Sequence, residues 1–152
     1  MPELTAGFKG GRVTQDDREL REILTRARTI AVVGIKSGEA DDAYRIPQYM
    51  QQHGYRVLPV NPKLETILGE TCVARLAELG EAIDVVNLFR AIEHIPAHAA
   101  ENLAMTPKPR AVWMQLGIQH GAAATALRAA DIEVVQDRCM MVEHRRLLGP
   151  NG

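Results

Sequence analysis

Five short stretches of this chain carry the residue types that handle phosphate: Gly34-Ile-Lys-Ser37, Val60-Asn-Pro-Lys63, Phe89-Arg90, Gln115-Leu-Gly117 and Asp137-Arg-Cys139. Each closes an apolar run. Lysine, arginine and side-chain amides dominate among them, and a carboxylate occurs only at Asp137. Hydrogen bonds from Lys and Arg to phosphate are about twice as strong as neutral ones, so this bias suits a ligand with several phosphates. The pattern speaks for holding a ligand rather than breaking its bonds. His120 lies close behind the Gln115 stretch and is the histidine expected near the crevice, but no serine or cysteine nucleophile can be placed beside it from sequence. An enzymatic reading would rest on fold analogy alone. Cys139 is the sharpest thiol candidate, because the adjacent Arg138 favours a thiolate, although packing is the simpler account of it. His53, His94, His98 and His144 fall on helical patterns without a ladder of Cys or carboxylate partners, so no metal site is expected.

The elements that position these stretches are legible from periodicity. Thr29-Ile-Ala-Val-Val-Gly34 is a continuous apolar run closed by glycine, the pattern of a strand buried on both faces, and a helix is expected to open near Ala43. Further strands are expected over Tyr55–Val60, Asp84–Phe89, Ala111–Leu116 and Ile132–Gln136, each separated from the last by a segment that can be helical. Gly54 is placed to end the helix that carries Ile46, Tyr49, Met50 and His53 on one face. Pro47 and Pro96 fall near helix starts, where proline is tolerated. Pro59 would cost a ladder bond in a central strand, so its strand is expected either near an edge or to end there. Trp113 reads as core. Before the first strand, Thr14-Gln-Asp-Asp17 has the form of a capping box opening an amphipathic helix over about 16–27, whose arginines alternate with acids as on a solvated face. A closing helix should pack Met140, Met141, Val142 and Leu147 against the body.

Alternation of this kind implies βαβ units. The expected fold is α/β, a single Rossmann-like doubly wound domain with a five-stranded, mainly parallel sheet and helices on both faces. Residues 1–13 are read as a flexible segment, 14–148 as the folded domain and 149–152 as a tail. A chain of 152 residues fits one domain. Its formal charge of −1 gives no global attraction to nucleic acid or to an anionic membrane. The two cysteines, Cys72 and Cys139, match no disulfide or zinc spacing, which favours a reducing compartment, and no run approaches a membrane span. A cytoplasmic location follows as an expectation.

The ligand class narrows further at the first two strand ends. Gly34 and Gly38 do not make the G-x-G-x-x-G fingerprint, and the second strand ends in Val60-Asn61-Pro62 where a site for NAD usually places Asp or Glu on the ribose hydroxyls. A phosphorylated ribose accepts that replacement more readily than a free one. Coenzyme A, with its 3′-phosphate, and NADP, with its 2′-phosphate, both remain open on these grounds.

Four motifs in order, Val57-Leu-Pro-Val-Asn-Pro62, Asp84-Val-Val-Asn-Leu-Phe-Arg90, Trp113-Met-Gln-Leu-Gly-Ile118 and Val134-Val-Gln-Asp-Arg-Cys-Met-Met141, resemble the CoA-binding domain proteins of bacteria and archaea. Those are stand-alone relatives of the nucleotide-binding domain of the succinyl-CoA synthetase alpha subunit. The resemblance runs from about Thr29 to Leu148. It implies that the pyrophosphate of coenzyme A lies over Gly34, Ile35, Lys36 and Ser37 and the helix start near Tyr44 and Arg45. It likewise implies that the adenosine end approaches Val60, Asn61, Pro62, Lys63, Phe89 and Arg90, with Gln115 and Gly117 lining the crevice. The first loop departs from the family's usual Gly-x-Ser-Pro, with Lys36 where the serine stands and Ser37 where the proline stands. The synthetase's ligase half and its phosphorylated histidine have no counterpart here. The expected role is a non-catalytic module for coenzyme A or an acyl-CoA, with a homodimer or a protein partner as the other association. The competing role is an enzyme, either an NADP-linked oxidoreductase or a CoA-thioester enzyme completed by a partner.

Overall fold

A continuous apolar run can be buried on both faces only if helices cover both sides of its sheet, and this requirement organises the molecule. A computed structural model describes residues 16–149. Its main sheet has five strands, β1 (Thr29–Val33), β2 (Arg56–Val60), β5 (Val85–Leu88), β6 (Ala111–Met114) and β7 (Glu133–Val135), in the order β2-β1-β5-β6-β7. Every neighbouring pair in it is parallel. Between β2 and β5 lies a small antiparallel hairpin, β3 (Thr66–Ile67) and β4 (Glu70–Thr71). Its turn, Leu68-Gly69, has positive φ at both residues, 54° and 76°. Nothing in the local pattern of the sequence announces this hairpin.

Side chains alternate across the strands and build two cores. Ala31, Val33, Leu58, Val86, Leu88, Val112, Met114 and Val134 face α3 (Ile95–Ala104) and α4 (Gly121–Ala129). Ile30, Val32, Val57, Val85, Trp113 and Val135 face α1 (Asp17–Arg26), α2 (Asp42–Gln52) and α5 (Met140–Leu148). Trp113 is fully buried and donates its indole N–H to the Arg138 carbonyl at 2.8 Å.

Pro59 sits in edge strand β2 as expected. Its carbonyl accepts Val73 N–H at 3.1 Å on the outer side of the strand. Because a strand residue's N and C=O point the same way, the missing N–H falls on that outer side and costs β1 nothing. Helix α2 ends in a Schellman motif, with Gly54 (φ 95°) donating to Gln51 O and Tyr55 N–H to Met50 O, both at 3.2 Å.

Several local expectations are corrected. The first capping box is formed by Asp16 and Glu19: Asp16 Oδ1 accepts Glu19 N–H at 2.8 Å, and Glu19 Oε1 accepts Asp16 N–H at 3.2 Å. Glu19 has the reach for the return bond that Asp17 lacks, and Thr14 lies outside the described residues, as do residues 1–13 and 150–152. Pro47 stands inside α2, not near its start. The carbonyl that loses its helical donor there, Ala43 O, accepts Lys36 N–H at 3.2 Å instead, so the proline joins helix to loop without leaving an orphan. On α5, Met140 is fully buried but Val142 is 47 % exposed, on the outer face of the helix.

A buried aromatic cluster joins α2 to α5. His144, with no exposed surface, hydrogen-bonds through Nδ1 to the Tyr49 hydroxyl at 2.9 Å, and its ring meets those of Tyr49, His53 and Tyr55 edge-on. Burial, and then the neighbouring His53, hold the His144 imidazole below its ordinary pKa. Tyr55 donates its hydroxyl to Leu24 O on α1, and burial pushes that phenol up to about 12.

Two outcomes are expected from this architecture. Gly34 has φ 86°, and a Cβ there would stand 2.3 Å from Phe89 O. Gly34→Ala should cost about 2–4 kcal/mol in chemical denaturation, from strain and overlap together. The depressed His144 pKa means that the unfolded chain takes up this proton first as pH falls. Stability present above an ordinary imidazole pKa of ~6.5 should therefore decline on acidification below it. Melting temperatures from pH 8 to pH 5 should show that slope, and His144→Gln should remove its share.

Candidate functional site

The strand order reverses between β1 and β5. The chain leaves β1 for β2 on one side and returns to β5 on the other, so the loops after β1 and β5 diverge at their carboxyl ends and leave a crevice between them. Gly34 N–H donates to Val60 O at 3.0 Å and Phe89 N–H to Val33 O at 2.9 Å, which carries the ladder one residue beyond the strands on both sides of β1. The absence of a side chain at Gly34 lets the Phe89 carbonyl and the Arg90 stem close against the turn.

Two hollows open at this point and share one wall of Lys36, Phe89 and Arg90. The larger, of about 460 Å³, runs over β1 and β2 and is lined also by Gly34, Val60, Asn61, Pro62 and Lys63, by Arg75, and by His94, His98 and Glu101 from the α3 side. Among the described residues, its cations are Lys36, Lys63, Arg75 and Arg90, and its one carboxylate is Glu101. The smaller, of about 250 Å³, runs over β5 and β6 between Asp41, Asp42, Ala43 and Ile46 at the start of α2 and Gln115, Leu116, Ile118 and Cys139. Leu116 is 69 % exposed, an apolar side chain without cover at the mouth of this hollow.

The walls are held by specific bonds. Asn61 is a clamp: its Nδ2 donates to Ile35 O and its Oδ1 accepts Lys63 N–H, both at 2.7 Å, tying the end of β2 to the loop after β1. Asp41 caps α2 by accepting Ala43 N–H at 2.9 Å and lies 3.8 Å from Lys36 Nζ, in a pair exposed enough to exchange for an incoming anion. Gln115 is buried, and its Oε1 accepts Met140 N–H at 3.1 Å, which fixes the start of α5. On the α3 side, Arg90 Nε donates to His98 Nε2 at 3.2 Å, and His98 Nδ1 lies 2.7 Å from Glu101 Oε1. Arg138 is engaged by buried Glu143 at 3.3 Å, and Glu143 also pairs with Arg146, so this arginine braces α5.

Of the residues singled out from sequence, Gly34, Lys36, Val60, Asn61, Pro62, Lys63, Phe89 and Arg90 line the larger hollow, and Gln115 lines the smaller. Ile35 points into the core with no exposed surface and offers the site only its backbone. Ser37 is exposed beyond both hollows. Tyr44 accepts a bond from Gln48 at 3.4 Å, and Arg45 is paired with Asp42 at 2.6 Å; neither lines a wall. Gly117 (φ 84°) also stands outside, donating its N–H to Asp137 at 2.7 Å. The placement of His120 near the crevice is corrected. His120 caps α4 by accepting Ala123 N–H at 3.1 Å, whereas His94 and His98 line the larger hollow. Arg75, His94, His98 and Glu101 carry no signal in the sequence because they follow no strand; the position of α3 beside the Arg90 loop is a tertiary fact. Among the described residues, no group of His, Cys, Asp and Glu could hold a metal ion, and no helix is long and apolar enough to cross a membrane.

Comparison with known proteins agrees with this geometry. The family model described as CoA binding domain matches residues 28–145. A protein of Bacillus subtilis (strain 168), the uncharacterized YneT, is 36 % identical over 126 residues, which is 83 % of this chain and 92 % of that protein. Among solved structures, a Thermus thermophilus protein designated cell-free ID.343 superposes with a TM-score of 0.83 at 44 % identity, covering 88 % of this chain and 99 % of that one. A hypothetical protein from Pyrococcus horikoshii OT3 does so at 0.84 and 36 % identity, covering 89 % and 94 %. The sheet, the switch-point crevice and these likenesses lead to one assignment: the chain belongs to the CoA-binding domain family.

Proposed function

We propose that this protein binds coenzyme A or an acyl-CoA across the two hollows, with no covalent chemistry of its own. One observation carries the reading: Lys36 and Arg90, from loops separated by two crossovers, stand on a common wall at the topological switch point. In this reading the phosphates lie over the Lys36 and Arg90 wall. The larger hollow, with Lys63 and Arg75, takes the phosphorylated adenosine. The smaller hollow, with Ile46, Leu116 and Ile118, takes the pantetheine arm and any acyl group. Family membership supports a role connected with coenzyme A, and the mixture of apolar walls with a few convergent cations is the usual make-up of a cofactor site. Among the described lining groups the Cys139 thiol and the His98–Glu101 pair belong to different hollows, an arrangement that supports binding without turnover.

Coenzyme A should raise the melting temperature, and at ~100 times its dissociation constant it should add about 2.7 kcal/mol to stability. No shift at millimolar coenzyme A would remove the proposal. In calorimetry, Lys36→Ala and Arg90→Ala should each weaken binding roughly tenfold, a loss of about 1.4 kcal/mol. Arg21→Ala, on α1, should leave affinity unchanged, and equal losses from all three would show that net charge and not this site governs binding.

A further inference from the structure

Arg90 forms the wall that the two hollows share, and a long exposed arginine there would lose rotamer freedom on meeting a ligand. The structure holds it beforehand. Its Nε–H donates to His98 Nε2, and no other protein group takes its terminal amino nitrogens among the described residues. A guanidinium has no lone pair to offer and does not lose its proton, so His98 Nε2 must be the unprotonated nitrogen of the ring. The imidazole's single proton then sits on Nδ1, 2.7 Å from the Glu101 carboxylate that fixes this tautomer. The His98 side chain is 15 % exposed and Glu101 is 33 % exposed, so the pair is sheltered at the floor of the larger hollow.

We infer that His98, oriented by Glu101, is a positioning residue that aims Arg90 at the ligand's phosphates. This rests on the coenzyme A reading of the site. Loss of the Nε2 acceptor releases the Arg90 guanidinium from its place. The other charged groups facing this pair do not replace the lost acceptor. Lys36 comes from the loop after β1, Lys63 and Arg75 from beyond β2, and His94 from the turn before α3. The effect of His98 is therefore read as a difference between variants.

The test uses dephospho-coenzyme A, which keeps the pyrophosphate and lacks the phosphate monoester. Calorimetry at pH 8 should find His98→Ala roughly tenfold weaker than the natural chain, with His98→Gln restoring most of the affinity by returning an acceptor near the Nε2 position. In the free protein at pH 8, nitrogen NMR should place the His98 proton on Nδ1. Unchanged binding in His98→Ala, no recovery in His98→Gln, or an Nε2–H tautomer would each overturn the inference while leaving the coenzyme A reading in place. Failure of the natural chain to bind either coenzyme A or its dephospho form would overturn both.

Discussion

The carboxyl end of β1 meets that of β5 more closely than any side chain would permit. At Gly34 the Phe89 carbonyl and the Arg90 stem occupy the space where a Cβ would project. The ladder continues through this contact, by Gly34 N–H to Val60 O and Phe89 N–H to Val33 O, so that three strand ends are fixed relative to one another by backbone alone. Both hollows derive from this constraint, because it sets the distance between the loop carrying Lys36 and the loop carrying Arg90. Backbone contacts of this kind are insensitive to solvent and side-chain mobility, which makes them a suitable frame for a site built from flexible cations.

Around that frame the polar groups are used twice. Asn61 ties the β2 end to the Ile35 carbonyl and also turns its own chain towards Lys63. Pro47 removes a donor from α2, and the freed Ala43 carbonyl takes Lys36 N–H, so the cationic loop is sewn to the helix that walls the smaller hollow. Gln115 reaches from the end of β6 to the first N–H of α5. Each bond satisfies a backbone group, and those of Asn61 to Ile35, Lys36 to Ala43 and Gln115 to Met140 join two elements that bear lining residues. Stability and site geometry thus depend on the same interactions.

The two sides of the sheet divide the labour. On one face α3 and α4 cover a wholly aliphatic core, and α3 also delivers His98 and Glu101 to the larger hollow. On the other, α1, α2 and α5 enclose Trp113 and the ring cluster of Tyr49, Tyr55 and His144, and Ile46 and Cys139 reach from that face to the smaller hollow. The two hollows meet at a boundary formed by Lys36, Phe89 and Arg90.

The amino-acid sequence by itself determined the strands, their burial on both faces, most helix limits and the set of residues that end each strand, because these follow from periodicity, glycine and proline within a few positions. It placed Pro59 at an edge for the same local reason. The capping box moved from Thr14 and Asp17 to Asp16 and Glu19 because side-chain reach, not residue class, decides which acid closes it. Only the tertiary structure decided that β1 adjoins β5, which brings residues 36 and 90 to one wall; strand order arises from packing between distant segments and leaves no local mark. For the same reason it alone set Arg90 on His98, Asn61 on Ile35 across 26 positions, and His120 on a helix cap away from the crevice.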